Sequence, residues 1–288
     1  MSNARVVNAD CLTALRDMPD ASVDAVVTDP PYGLSNTTPT QVADTITRWV
    51  SGDREYLPTG RGFMGHEWDG FVPPVAVWDE CLRVLKPGGH LLAFAGSRTH
   101  DLMTLGIRLA GFDIRDSVAW LYGSGFPKSL DVSKAIESHT LNGKSNSRTL
   151  RKTEQDGDGE AYTLTGKNNG IMGEARTYDR KTFAPTTDAA RQWEGWGTAL
   201  KPAFEPVTLA RKPLTGTVAA NVLEHGTGAL NIDGCRVGTE IRVNPAGGAI
   251  ANPLAYGKRN GGQESTVVGR WPANVVLDES QAAELDRQ

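Results

Sequence analysis

Ser22-Val23-Asp24-Ala25-Val26-Val27-Thr28-Asp29-Pro30-Pro31-Tyr32-Gly33 is the stretch on which the reading of the fold turns. Residues 23–28 form a β-branched run of strand type. Two successive prolines cannot donate to a sheet ladder, so the strand must end at Asp29 and a loop must begin. Upstream, Arg5-Val6-Val7-Asn8-Ala9 is a short strand candidate. Residues 11–18 have the apolar spacing of one or two helical turns, ended by Pro19. Downstream, apolar residues recur at helical spacing from Val75 to Leu85, and Lys86-Pro87-Gly88-Gly89 reads as a closing turn. His90-Leu91-Leu92-Ala93-Phe94-Ala95 follows as a buried-type strand. A helix over about 101–110 ends at Gly111, and residues 112–122 make another strand. Such alternation predicts a parallel, doubly wound α/β sheet.

The character changes after Gly123. Residues 139–192 are rich in Asn, Thr, Gly, Lys, Arg and Asp and carry few large apolar side chains, so they read as a polar insertion that is mobile or orders on a partner. Glu205-Pro206-Val207-Thr208-Leu209-Ala210 returns to strand character. Residues 215–288 are Gly- and Asn-rich with short apolar pieces such as Asn274-Val275-Val276-Leu277. The expected organisation is a catalytic α/β region over 1–138, the insertion over 139–192, and a return to the sheet with an extension over 193–288.

Bulk properties narrow the class. The 288 residues suit one large domain, or one with an insertion, and carry a net charge of −4. That charge argues against a protein coating nucleic acid nonspecifically, while a local basic cleft is still allowed. No apolar run approaches the roughly 18 residues of a membrane span. The N-terminus leads directly into a strand-like run, so a signal peptide is not expected. Three scattered cysteines form no CxxC pair, which fits a reducing cytoplasm and no structural zinc. The five histidines lack ligand spacing. Ser97 and Ser124 lack a nucleophile-elbow context. Trp68, Trp78, Trp120, Trp193, Trp196 and Trp271 read as packing residues.

The loop after the β-branched run has a specific chemical use. An exocyclic amino group of a nucleobase is a poor nucleophile, because its lone pair is delocalised into the ring. Two acceptors taking both N–H protons draw the nitrogen towards tetrahedral and free that lone pair. Asp29 offers a carboxylate oxygen, and Pro30 a carbonyl on a stiffened backbone that Pro31 extends. Tyr32 offers a face on which a flipped base can stack. The position also fits, since ligands of open α/β sheets bind outside the carboxyl ends of the strands.

Asn8-Ala9-Asp10-Cys11-Leu12, residues 22–33 and residues 85–94 together resemble the site-specific DNA amino-methyltransferases of the permuted class, in which the catalytic motif precedes the main cofactor motif. Residues 62–69, 120–128, 201–213, 228–236 and 270–274 are similar to the phage and prophage adenine branch of that class. The resemblance implies a Rossmann-like methyltransferase sheet, incomplete here and mixed with an antiparallel late strand. It implies S-adenosylmethionine as methyl donor and double-stranded DNA as substrate, with adenine N6 preferred over cytosine N4 by the Asp at the head of the motif. Asp29, Pro30, Pro31 and Tyr32 would be the catalytic residues. Asp10, Cys11, Leu12 and Asp29 would border the cofactor, and Asp10 also suits a helix N-cap. If the gene is phage-borne, the location is the host cytoplasm and the context restriction-modification.

Within the insertion, Arg148, Arg151, Lys152, Lys167, Arg180 and Lys181 are candidate DNA contacts, although interspersed acidic residues also suit a solvated loop. The family's Asp-Pro-Phe-Gly-Gly-type block, which holds the methionine end of the cofactor, has no counterpart in the 288 residues. A second chain or a further C-terminal segment is therefore expected to complete the cofactor site. The alternative is a catalytically silent DNA-binding fragment. Methylation of a protein glutamine amide is disfavoured, since that chemistry usually has Asn where Asp29 stands.

Overall fold

The computed structural model describes residues 4–62, 65–123, 129–143, 162–164, 176–178, 183–244, 265–277 and 282. They fall into two units, residues 124–203 and the rest of the chain.

The larger unit is built on a five-stranded sheet. Its strands are β1 (Val23–Thr28), β2 (Leu85–Phe94), β3 (Asp113–Leu121), β6 (Phe204–Arg211) and β9 (Val275–Leu277), in the order β1-β2-β6-β3-β9. β1 pairs parallel with β2, and β3 with β9, while β6 lies antiparallel between β2 and β3. The sheet is thus mixed, with an antiparallel late strand at its centre, and not purely parallel. β6 arrives only after the second unit, and that long excursion lets it enter reversed between strands already laid down.

One face of the sheet is covered by α3 (Val75–Val84) and α4 (His100–Leu109). α3 buries Val75, Ala76, Trp78, Cys81 and Val84, the apolar stripe expected of a helix on a sheet. Val75, Trp78 and Cys81 pack with Leu85, Leu91, Ala93, Met103, Ile107 and Phe112 into one core. Helix α2 (Pro39–Val50) adds the buried Trp49, whose indole N–H donates to the Tyr56 carbonyl at 2.9 Å. The start of α2 has a local cause: Thr38 and Gln41 form a reciprocal capping box, and Pro39 stands in the first turn.

Three expectations need correction. Residues 5–9 are not a strand, and Val6 is 95% exposed, because no neighbouring strand lies along them to pair with. Lys86-Pro87-Gly88-Gly89 is not a turn closing a helix but lies within β2. The pairing to β1 jumps from Val23↔Leu85 to Ala25↔His90, so these residues bulge out of the ladder. Gly88 takes φ +77° there, and a side chain on it would meet the Asn221 amide nitrogen. Asn221, in α7 (Val218–His225), is fully buried and pins the bulge by donating to the carbonyls of Pro87 (2.9 Å) and Thr227 (2.8 Å). Finally, only Trp78 of the six tryptophans named above is buried. Trp68 is 62% exposed, Trp196 61% and Trp271 66%.

The described part of the second unit holds α5 (Val132–Asn142), the short antiparallel pair β4 (Tyr162–Leu164) and β5 (Arg176–Tyr178), and α6 (Asp188–Gln192). Residues 237–244 (β7) and 265–270 (β8) form a separate antiparallel ribbon in the larger unit. α5 and α6 are fastened by one buried carboxylate. Glu137 accepts from the backbone N–H of Thr186 (2.9 Å) and Thr187 (3.1 Å), and from both threonine hydroxyls. Burial pushes its pKa up, but these four bonds outweigh burial and bring it down from the ordinary 4.5 to about 2. A lowered carboxyl stabilises above its unfolded pKa and stops doing so as pH falls through the folded one. Protection of α5 and α6 amides in hydrogen exchange should therefore decline between pH 4.5 and about 2. Glu137→Gln should remove about 1–3 kcal/mol of that protection at pH 7 and flatten the acid dependence. An unchanged acid profile would show that the clamp is not formed.

Candidate active site

The loop Asp29-Pro30-Pro31-Tyr32-Gly33 leaves the carboxyl end of β1, as its sequence requires. Asp29 is exposed, Pro30, Pro31 and Tyr32 are half-buried, and Gly33 is buried. Three side chains from distant parts of the chain fix the second half of the loop. The Thr99 hydroxyl, at the start of α4, donates to the Tyr32 carbonyl at 2.6 Å. The Asp69 carboxylate, 2% exposed, accepts from Gly33 N–H at 2.9 Å and from Leu34 N–H at 3.4 Å. Glu205, at the head of β6, accepts from the Tyr32 hydroxyl at 3.3 Å. The backbone of the motif is therefore held before any ligand arrives, which is what positioning chemistry needs.

Tyr32 sits in a polar but acidic setting. Burial raises its phenol pKa first, and hydrogen bonding and charge from Asp29 and Glu205 raise it further. The ring stays a neutral phenol across the physiological range. Glu205 also raises Tyr122, after burial. Glu205 faces Trp120 across the β3–β6 ladder, and Trp120 (42% exposed) tilts against Phe94 with centroids 5.8 Å apart. Tyr32, Trp120 and Tyr122 thus neighbour one carboxylate at the loop end of the sheet.

Behind the loop lies a cavity of about 180 Å³, lined among others by Gly33, Ser35, Thr37, Phe71, Arg98 and Leu102. It is smaller than the roughly 300–1,000 Å³ of ordinary small-molecule sites.

Asp10 caps helix α1 (Cys11–Arg16), its Oδ1 accepting from the Thr13 N–H (3.0 Å) and hydroxyl (3.2 Å). The N-cap alternative is thus seen directly. Among the described residues no hydrogen bond joins Asp10, Cys11 or Leu12 to the Asp29 loop. Arg148, Arg151, Lys152, Lys167, Arg180 and Lys181 lie outside the described residues. No group of three or more His, Cys, Asp or Glu suited to a metal occurs among the described residues, and no helix there is long and apolar enough to cross a membrane.

Asp69, Thr99 and Glu205 were not singled out from sequence. Glu67-Trp68-Asp69 and Glu205 were visible only as parts of similar blocks. A residue that supports a loop from 36 or 173 positions away leaves no local pattern.

The fold therefore places a pinned Asp-Pro-Pro-Tyr loop at the carboxyl end of β1 in an α/β sheet. The chain belongs to the DNA methylase family, whose profile matches residues 23–194. Over 92 residues it is 32% identical to the type II methyltransferase M.BamHI of Bacillus amyloliquefaciens, covering 31% of this chain and 17% of that protein. Among solved structures it is similar to a DNA modification methylase from Thermus thermophilus complexed with S-adenosyl-L-methionine. The identity is 17%, the TM-score 0.32, and the coverage 72% of this chain and 52% of that one. The complex of M1.HpyAVI with S-adenosylmethionine gives 11% identity, a TM-score of 0.27, and coverage of 71% and 52%. The chain spans about half the length of these solved relatives and a smaller share of the curated one.

Proposed function

We propose that the chain carries the amino-group site of an S-adenosylmethionine-dependent DNA methyltransferase acting on adenine N6. The carrying observation is the Asp29–Gly33 loop, held by Thr99, Asp69 and Glu205 with the Asp29 carboxylate exposed. Asp29 accepts one N–H of the target amino group and the Pro30 carbonyl accepts the other. Tyr32 stacks on the flipped base. As the nitrogen gains positive charge, Asp29 stabilises it and takes the proton released when the secondary amine forms. The choice of adenine over cytosine N4 rests on Asp, in place of Ser, at the head of the motif. DNA contacts by the cationic residues of the insertion belong to the same proposal.

S-adenosylmethionine supplies an electrophilic sulfonium methyl when bound. Asp10, exposed at the head of α1, is the candidate to stand beside it. Cys11, Leu12 and Asp29 are the further candidate contacts. Among the described residues β1, which bears the motif, is an edge strand, and Val27 on it is 69% exposed. Its open side is where a second chain or further polypeptide would complete the cofactor pocket. That observation also favours a second reading, a DNA-binding unit that transfers no methyl group by itself.

Calorimetric titration of the 288-residue chain with S-adenosylmethionine, followed by methyl transfer to unmethylated duplex DNA, separates the two. Binding with transfer to adenine N6 supports the proposal. No heat at millimolar cofactor rules out a self-sufficient enzyme.

A further inference from the structure

Tyr32 is held at both ends by elements far apart in the chain. Its carbonyl accepts from Thr99 at 2.6 Å, at the start of α4, and its hydroxyl donates to Glu205 at 3.3 Å, at the head of β6. Two such anchors define the tilt of the ring only if their own separation is fixed. The residue after Thr99, and another one turn further along α4, meet β6 directly. His100 Nε2 lies 3.1 Å from the Thr208 hydroxyl and 3.3 Å from the Thr104 hydroxyl, and the two hydroxyls stand 2.9 Å from each other. Thr208 is 1% exposed and sits inside the sheet, opposite Ala93 of β2 and Ser117 of β3. A hydroxyl both donates and accepts, so all three groups find partners with either tautomer of the ring.

We propose that His100 is a positioning residue that, with Thr104 and Thr208, locks the first turn of α4 to β6 and so sets the distance between the two anchors of Tyr32. The inference rests on the reading of the Asp29–Gly33 loop as the amino-group site. Apolar packing is non-directional, whereas hydrogen bonds hold direction and length. Without the joint, the longer bond at the Tyr32 hydroxyl yields before the shorter one at its carbonyl. The ring then swings about an anchored backbone. The face offered to the base is misplaced while Thr99 and Asp69 still pin the loop.

Three single variants, assayed by methyl transfer to duplex DNA, test this. H100F keeps an aromatic ring without a polar atom, H100Q keeps a polar group near the place of Nε2, and T208V removes one hydroxyl at nearly constant shape. H100F and T208V should lower kcat about tenfold, a displacement of about 1 Å being worth roughly 100-fold. KM for DNA should change by less than about threefold. H100Q should recover most of the loss. Wild-type kcat in T208V, or H100Q no better than H100F, would overturn the proposal.

13C NMR of the tyrosine ring carbon that bears the hydroxyl reads the joint without activity. The Tyr32 signal is assigned by its loss in Y32F, and E205A gives its position with the hydroxyl released. In H100F and T208V the signal should move towards the E205A position, and in H100Q it should stay near wild type. A joint that only stabilised the fold would lower the melting temperature and leave the signal in place, and that outcome would overturn the proposal. T208V decides if H100F does not fold. If the wild-type chain transfers no methyl group, the functional reading fails while the NMR arm still decides this one.

Discussion

Asp29→Ala is expected to lower methyl transfer to DNA roughly 10³- to 10⁴-fold, while leaving most cofactor affinity and the fold intact. The reason lies in what the side chain supplies. The target nitrogen becomes a nucleophile only when its lone pair leaves the ring, and in the proposed function Asp29 is the carboxylate of the acceptor pair that enforces this. Pro30 contributes a backbone carbonyl that survives the substitution, so the residual rate belongs to the carbonyl and to stacking on Tyr32. Asp29 is exposed and its loop is anchored elsewhere, through Tyr32, Gly33 and Leu34. A melting temperature close to wild type is therefore expected alongside the lost activity. Tritium incorporation from labelled S-adenosylmethionine measures the effect. Transfer within about tenfold of wild type would refute the amino-group clamp, since general acid–base groups ordinarily contribute more than that.

Gly33→Ala should be the most destabilising small substitution in the loop. Gly33 adopts φ +68°, where an L side chain is strained, and an added Cβ would stand 2.7 Å from Val72 N and 2.9 Å from Phe71 C. Those neighbours are backbone atoms, so no rotamer change relieves the clash. The loop must move, and with it the bond from Gly33 N–H to Asp69. A stability loss of about 2–4 kcal/mol is expected from strain plus a broken buried bond. Displacement by about 1 Å would further lower turnover by roughly 100-fold. Gly52→Ala is the matched comparison. Gly52 also has positive φ, +105°, but an added Cβ there meets nothing within 4 Å. Its cost should stay near that of strain alone, about 1–2 kcal/mol, with activity preserved. Equal costs for the two variants in denaturant unfolding would show that the close packing around Gly33 is not real.

Much of the fold was legible because its signals are local. The run 23–28, the stripe over 75–84 and the strands near 90–94, 113–121 and 204–211 announce themselves by β-branching or by periodicity. The Asp-Pro-Pro break after residue 28 is equally local, since proline ends a ladder wherever it stands. Helix α2 was missed although Thr38, Pro39 and Gln41 write its start in plain capping chemistry. The misreading of Lys86-Pro87-Gly88-Gly89 has another cause. Those residues are turn formers, and what keeps them inside β2 is Asn221, 134 positions from Pro87.

The amino-acid sequence alone determined the motif and its place after a strand, because residue type and adjacency suffice for these. Only the tertiary structure decided that β6 inserts antiparallel beside β2, that Asp69 and Thr99 hold the loop, and that the Tyr32 hydroxyl meets Glu205. Each depends on residues far apart in the chain meeting through packing and hydrogen bonds, whose partners no local pattern encodes.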